Sequence, residues 1–181
     1  MRFFLKIYFI IFYLIISTTK NFAQNIPKSN PVSTYSIVAY DEGTGQFGVA
    51  VQSHWFSVGA LVPWAKAGVG AVATQSFVKV EYGPDGIALM EAGISAKDAL
   101  NQLISKDSGQ AVRQVAMIDS KGSVAAHTGE NCIYAAGHKT GKNYSVQANL
   151  MEKETVWDAM AKAFENTLGD LATRMMASLE A

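Results

Sequence analysis

The sequence predicts an α+β domain layered as a four-layer αββα sandwich, and three observations predict it. Short apolar runs rich in Val and Ala fall into two groups separated by a helical stretch. A second helical stretch follows the second group, so the order is strands, helices, strands, helices. Several of the apolar runs lack strict alternation, the pattern of strands buried on both faces. Helices can cover one face of each sheet, which leaves the two remaining faces to bury each other.

The elements follow in order. Residues 35–40 (YSIVAY) are strand-like, DEGTGQ is a turn with two glycines, and residues 47–52 return as the second arm of a hairpin. Residues 68–76 (GVGAVATQS) form a third strand. Its end, AVATQS, resembles VAVQS at 49–53: both are built of small residues and both finish in Gln-Ser. Small side chains there allow another layer to pack close. Pro84-Asp85-Gly86 punctuates the chain before Ile87, Met90 and Ile94, which fall at helical spacing. Ser95 with Asp98 is a capping-box signature ahead of Leu100, Leu103 and Ile104. Residues 113–119 and 123–128 form a second hairpin around Ser120-Lys121-Gly122, residues 129–142 read as a glycine-rich loop, and residues 143–150 are a last strand. Val156, Met160, Ala163 and Phe164 mark one helical face. Asp170 caps a further helix carrying Leu171, Met175 and Leu179.

The N-terminus reads as an export signal. Arg2 and Lys6 form a basic start, an uncharged apolar run covers residues 7–17, and Phe22-Ala23 offers a cleavage point before Gln24. The apolar run is well short of the roughly 20 residues that span a bilayer. The expectation is a periplasmic or secreted protein with no stable membrane anchor once residues 1–23 are removed. Residues 24–33 (QNIPKSNPVS) are polar with two prolines and read as a linker or propeptide ahead of a domain at 34–181. No terminating signal precedes Glu180-Ala181, so a C-terminally truncated domain is an expectation too. Taking Arg2, Lys6 and Lys20 from fifteen basic residues leaves twelve against fifteen acidic, a formal charge of −3. With no basic stripe, the electrostatic footprint of a nucleic-acid binder is missing.

The single cysteine, Cys132, has no intrachain partner; with no Lys or Arg beside it to stabilise a thiolate, it reads as structural. His54, His127 and His138 are not at metal-ligand spacing, and no CxxC, P-loop, dinucleotide fingerprint or GxSxG elbow occurs. No metal or other cofactor is expected. What remains is a set of polar residues at strand ends: Thr34, Ser36, Ser53, His54, Thr74, Gln75, Ser76, His127, Gln147 and Asn149. Asn149 lies between a strand and a helix, with two amide donors that can aim at a carbonyl oxygen. His127 is either a base or a satisfied, partly buried histidine.

The stretch from TYSIVAYDEGTGQFGVAVQS through AGVGAVATQS, then RQVAMID, HTGENC and YSVQANLM, resembles the bacterial family Domain of Unknown Function 1028 over roughly residues 34–167. That family is similar in fold to the N-terminal-nucleophile hydrolases, which implies the same αββα sandwich. The resemblance implies a role for Thr34 as the residue whose hydroxyl attacks while its own freed α-amine acts as base, with Ser36 in the same motif and Asn149 on the oxyanion side. Ser53, His54, Gln75, His127 and Gln147 are the accompanying substrate-binding candidates. A free α-amine titrates near 7.7–8.0 and accepts a proton close to neutral pH. Cleavage after Ala23 leaves residues 24–33 in front of Thr34, so the scheme needs a second cleavage. Two readings stand: an exported amide-bond hydrolase acting on a small or peptide-like substrate, or a non-catalytic module on the same fold that binds a small ligand or cell-envelope material such as peptidoglycan.

Overall fold

The computed structural model describes residues 32–181. The export signal expected at 1–23, and residues 24–31, lie outside the described residues. Two four-stranded antiparallel sheets stack face to face between two pairs of helices. The first sheet holds β1 (Thr34–Asp41), β2 (Gln46–Ser53), β7 (Gly137–Gly141) and β8 (Tyr144–Asn149), in the order β2-β1-β8-β7. The second holds β3 (Pro63–Lys66), β4 (Gly70–Ser76), β5 (Arg113–Asp119) and β6 (Val124–Thr128), in the order β3-β4-β5-β6. Helices α1 (Tyr82–Glu91) and α2 (Ala96–Ser105) cover the second sheet, and α3 (Val156–Asn166) and α4 (Leu171–Leu179) cover the first. This is the αββα sandwich that the order of elements predicts.

Alternation along the strands distributes three apolar layers. Ile37 and Ala39 of β1, with Tyr144 and Val146 of β8, pack on Met160, Phe164, Leu171 and Met175 of the outer helices. Val72, Val115 and Met117 turn the other way onto Tyr82, Met90, Ala99 and Leu100. Between the sheets lie Val38, Ala71, Ala73, Ala116 and Ile118. Of the small residues noted in the sequence, Ala71 and Ala73 face the opposing sheet and let it pack close, whereas Ala50 turns toward the outer helices. Fully burying a side chain of Val or Ile size is worth about 1.5–3 kcal/mol, so the middle layer is a main source of stability in a chain with no disulfide.

The predicted caps form as read. Ser95 Oγ accepts from Asp98 N at 3.1 Å, and Asp170 Oδ1 accepts from Thr173 N at 2.8 Å. Two local readings need correction. Residues 129–142 are not all loop, because 137–141 form β7, an edge strand paired with β8 from Gly137↔Ala148 to Gly141↔Tyr144. Its sequence, GHKTG, has little strand propensity; pairing with a buried neighbour overrides it, and the indole of Trp157 lies where a side chain at 137 would stand. Pro84 does not precede α1 but sits in its first turn, where a missing N–H leaves no helical bond unmade.

Candidate functional site

Six strand termini meet at one end of the sandwich: the starts of β1 and β5 and the ends of β2, β4, β6 and β8. The apolar middle layer gives way there to polar side chains, arranged by register. In the first sheet Thr34 stands opposite both Ser53 and Asn149, and one step inward Ser36 stands opposite Gln147. In the second sheet Gln75, Gln114 and Thr128 form one row. The two sets join across the sandwich. Ser36 Oγ donates to Gln75 Oε1 at 2.6 Å and accepts from Gln147 Nε2 at 2.6 Å. Gln75 Nε2 donates to Gln114 Oε1 at 2.7 Å, and Asn149 Nδ2 donates to the same oxygen at 3.0 Å. Gln114 Nε2 is shared among Thr128 Oγ1 and the carbonyl oxygens of Ala148 and Gly137, at 2.9–3.1 Å. Ser36, Gln75, Gln114, Gln147 and Asn149 are all buried. A buried polar group left without a partner costs about 1–3 kcal/mol. The network is therefore tolerated only because its amides satisfy one another, and that mutual satisfaction also fixes their orientation.

Above this seam opens a cavity of about 540 Å³. Thr34, Gln75, Ser76 and Asn149 supply its polar lining, and Val58, Leu61, Val62, Val78 and Leu150 are among its apolar walls. Trp55, Phe77 and Ile133 also line it while exposing 64%, 54% and 45% of their surface, so its mouth is apolar too. Thr34 Oγ1 lies 2.8 Å from Ser53 Oγ, which also accepts from Trp55 N at 3.0 Å. Ser76 and Leu150 sit at φ 71° and 56°, in the left-handed region that non-glycine residues seldom adopt. Such strain costs of order 1–3 kcal/mol per residue and gathers at functional sites. Ser76 Oγ is buried and makes no hydrogen bond.

Among the described residues Arg113 is the one charged residue of the lining, and it is held firmly. Its Nε donates to Asp107 Oδ2 at 3.0 Å and its Nη1 to the Phe77 carbonyl at 2.6 Å. Burial works against ionisation of Asp107, but donors from Arg113, Gly109 and Tyr82 outweigh it and bring its carboxyl down to about 2. Burial, and then the bond to Asp107, push the Tyr82 phenol well above its ordinary range.

The structure brings Thr34, Ser36, Ser53, Gln75, Gln147 and Asn149 together, although only Thr34, Gln75 and Asn149 of these line the cavity: Ser36 and Gln147 lie beneath it, and Ser53 reaches it through Thr34. His54 is exposed and outside the lining, with its backbone N–H donated to the Ser33 carbonyl at 3.1 Å. His127 is not at the site: opposite Val115, it faces away from the sandwich interior, and its Nε2 lies 2.9 Å from the Gln110 carbonyl. Its neighbour Thr128 has the inward parity. Gln114 and Arg113 went unread, although a glutamine inside the apolar run of β5 was the available signal. Cys132 donates its S–H to the Arg113 carbonyl at 3.3 Å. Two other clefts, one edged by Asp41, Glu42, Lys142 and Arg174 and one between β2 and α4, contain none of the strand-end polar residues.

Comparison with known proteins adds three findings. A family model described as a family of unknown function, DUF1028, matches residues 34–181. The crystal structure of a DUF1028 protein from Silicibacter pomeroyi is similar at a TM-score of 0.78 and 30% identity, over 82% of this chain and 66% of that one. This chain therefore spans just under two thirds of that protein's length. A comparison with curated proteins gives no match.

Proposed function

This chain belongs to the DUF1028 family, and with that as premise we propose that it is an exported amide-bond hydrolase in which Thr34, once freed as an N-terminus, is nucleophile and base. One observation carries the reading. Thr34 opens a central strand at the floor of a cavity, in register with Ser53 on one side and Asn149 on the other.

The chemistry follows from that position. The neutral α-amine takes the proton of Thr34 Oγ1 as the oxygen bonds to the substrate's amide carbon. The second N–H of Asn149, which makes no hydrogen bond, is the donor for the developing oxyanion. The ammonium returns its proton to the leaving amine as the C–N bond breaks, which leaves an ester on Oγ1. Water then attacks that ester and gives a proton to the amine; as the ester C–O bond breaks the ammonium passes that proton to Oγ1, which releases the acid and restores the hydroxyl and the neutral amine. Ser53 positions the Thr34 hydroxyl. Ser36 acts from beneath by fixing Gln75 and Gln147 and is a positioning residue.

A specific observation favours a second reading, a non-catalytic binding module for a small or cell-envelope ligand. Ser33 precedes Thr34 in peptide linkage, and its Oγ donates to the Leu150 carbonyl at 2.9 Å, so the amine is occupied and residue 33 is anchored. The test is to produce the chain beginning at Thr34, beside its Thr34→Ala variant, and assay both on a panel of acyl amides. Hydrolysis by the first alone supports the hydrolase. Equal rates remove Thr34 from the mechanism, and ligand binding without turnover by either favours the binding module.

A further inference from the structure

We infer that the cavity beside Thr34 takes the uncharged, apolar acyl part of an amide, and that Ser76 anchors that ligand's polar end. The inference names the substrate class for the site proposed above and rests on that reading for its catalytic consequence, but not for binding. Most of the lining is apolar, and the apolar surface extends from the inner walls to the exposed Trp55, Phe77 and Ile133 at the mouth. Among the described residues the only formal charge of the lining, on Arg113, is already matched by Asp107, and its Nη1 is bonded to the Phe77 carbonyl. A carboxylate or phosphate placed in the cavity would meet a guanidinium whose charge Asp107 already balances, whereas a hydrocarbon chain meets apolar walls. Burying it removes apolar area from water on both sides, the usual basis of such sites.

The polar end is chosen by what is left unsatisfied. Across the floor of the cavity Thr34 is bonded to Ser53, and Gln75 to Ser36 and Gln114. Ser76 differs from them. Its hydroxyl has no partner, its backbone is held at φ 71°, and it borders the same cavity. The hydroxyl is enclosed as it stands, so a ligand carbonyl or N–H meets it by a turn of the Ser76 side chain about χ1, which converts an unpartnered buried group into a hydrogen bond. Ser76 and Asn149 both end central strands, in opposite sheets, so an acyl amide between them meets polar groups on two sides and apolar walls beyond.

Binding is measured without turnover, on the chain as exported, by calorimetry with N-methyl amides of increasing acyl length and with the carboxylate of each length. Affinity should rise about threefold to fourfold per methylene until the cavity is full, and each amide should bind at least fivefold tighter than its carboxylate. Ser76→Ala should bind the amides five- to tenfold more weakly while unfolding at higher urea than the parent, because it removes an unsatisfied group. A hydroxyl with no ligand role would give the stability gain alone, and that outcome overturns the Ser76 assignment. Affinity independent of acyl length, or preference for the carboxylate, overturns the assignment of the cavity. Length-dependent binding by a chain whose Thr34-initiated form never hydrolyses an amide would sink the catalytic reading and leave this one standing. Hydrolysis of short polar amides with no gain from acyl length would do the reverse.

Discussion

At the scale of single residues, the buried amides hold the site in place, and Gln114 is the residue on which they converge. Its Oε1 accepts from Gln75 and Asn149, and its Nε2 reaches three acceptors. Leucine has nearly the same volume, so Gln114→Leu leaves no cavity and isolates the hydrogen-bond effect. Two donors lose their acceptor, and Gln114→Leu should destabilise the domain by about 2–4 kcal/mol. The check is urea unfolding, with the midpoint lowered and the slope unchanged. An unaltered midpoint would mean that water replaces the amide and that the seam is not what orients Asn149. The polar character of this region was legible in the sequence, since Thr34, Ser53, Gln75 and Asn149 all stand out at strand ends. Which of two adjacent polar residues points inward was not. His127 and Thr128 differ by one position, and with a side-chain period of two that single step decides which reaches the interior.

At the scale of elements, the caps and strong periodicities were readable because they are local. Ser95 and Asp170 each satisfy an N–H within a few residues of their own position. The edge strands β3 and β7 were not readable, because PWAK and GHKTG become strands only by pairing with β4 and β8. The connection from α2 into β5 is secured differently, by Asp107. This carboxylate ties Tyr82 of α1, the Gly109 N–H and Arg113 at the start of β5. Its native pKa of about 2 lies below the ordinary 3.8, so its contribution to stability is complete above about pH 4 and is lost as pH falls toward 2. Asp107→Asn should be less stable than the parent at pH 7, and the gap should close between about pH 4 and pH 2. Urea unfolding of both proteins across that range is the measurement. A gap constant with pH would show that the lost hydrogen-bond geometry matters and the charge does not.

At the scale of the whole molecule, the interior between the sheets is graded from Ala71, Ala116 and Ile118 at one end to Thr34, Gln75 and Asn149 at the other. The apolar end supplies rigidity, and the polar end places one hydroxyl, Thr34, on a central strand where it meets a cavity. That arrangement makes a definite prediction for the pH dependence of catalysis. Among the described residues of the lining, Arg113 carries the only charge and is matched by Asp107, and no histidine lines the cavity. If Thr34 acts through its own amine, kcat/KM of the chain beginning at Thr34 should follow one ionisation near that amine's usual range of about 7.7–8.0. Below about pH 7 the rate should fall tenfold per pH unit, because only the unprotonated amine accepts the hydroxyl proton. Any uncompensated field from Arg113 would move that ionisation down, since a nearby cation disfavours the ammonium form. The chain beginning one residue earlier, at Ser33, carries the same cavity and the same hydroxyl but no free amine at Thr34. It should show no turnover at any pH. Equal activity of the two chains, or a rate flat from pH 5 to 9, would assign the base elsewhere, whereas a single ionisation confined to the Thr34-initiated chain would tie the chemistry to the first residue of β1.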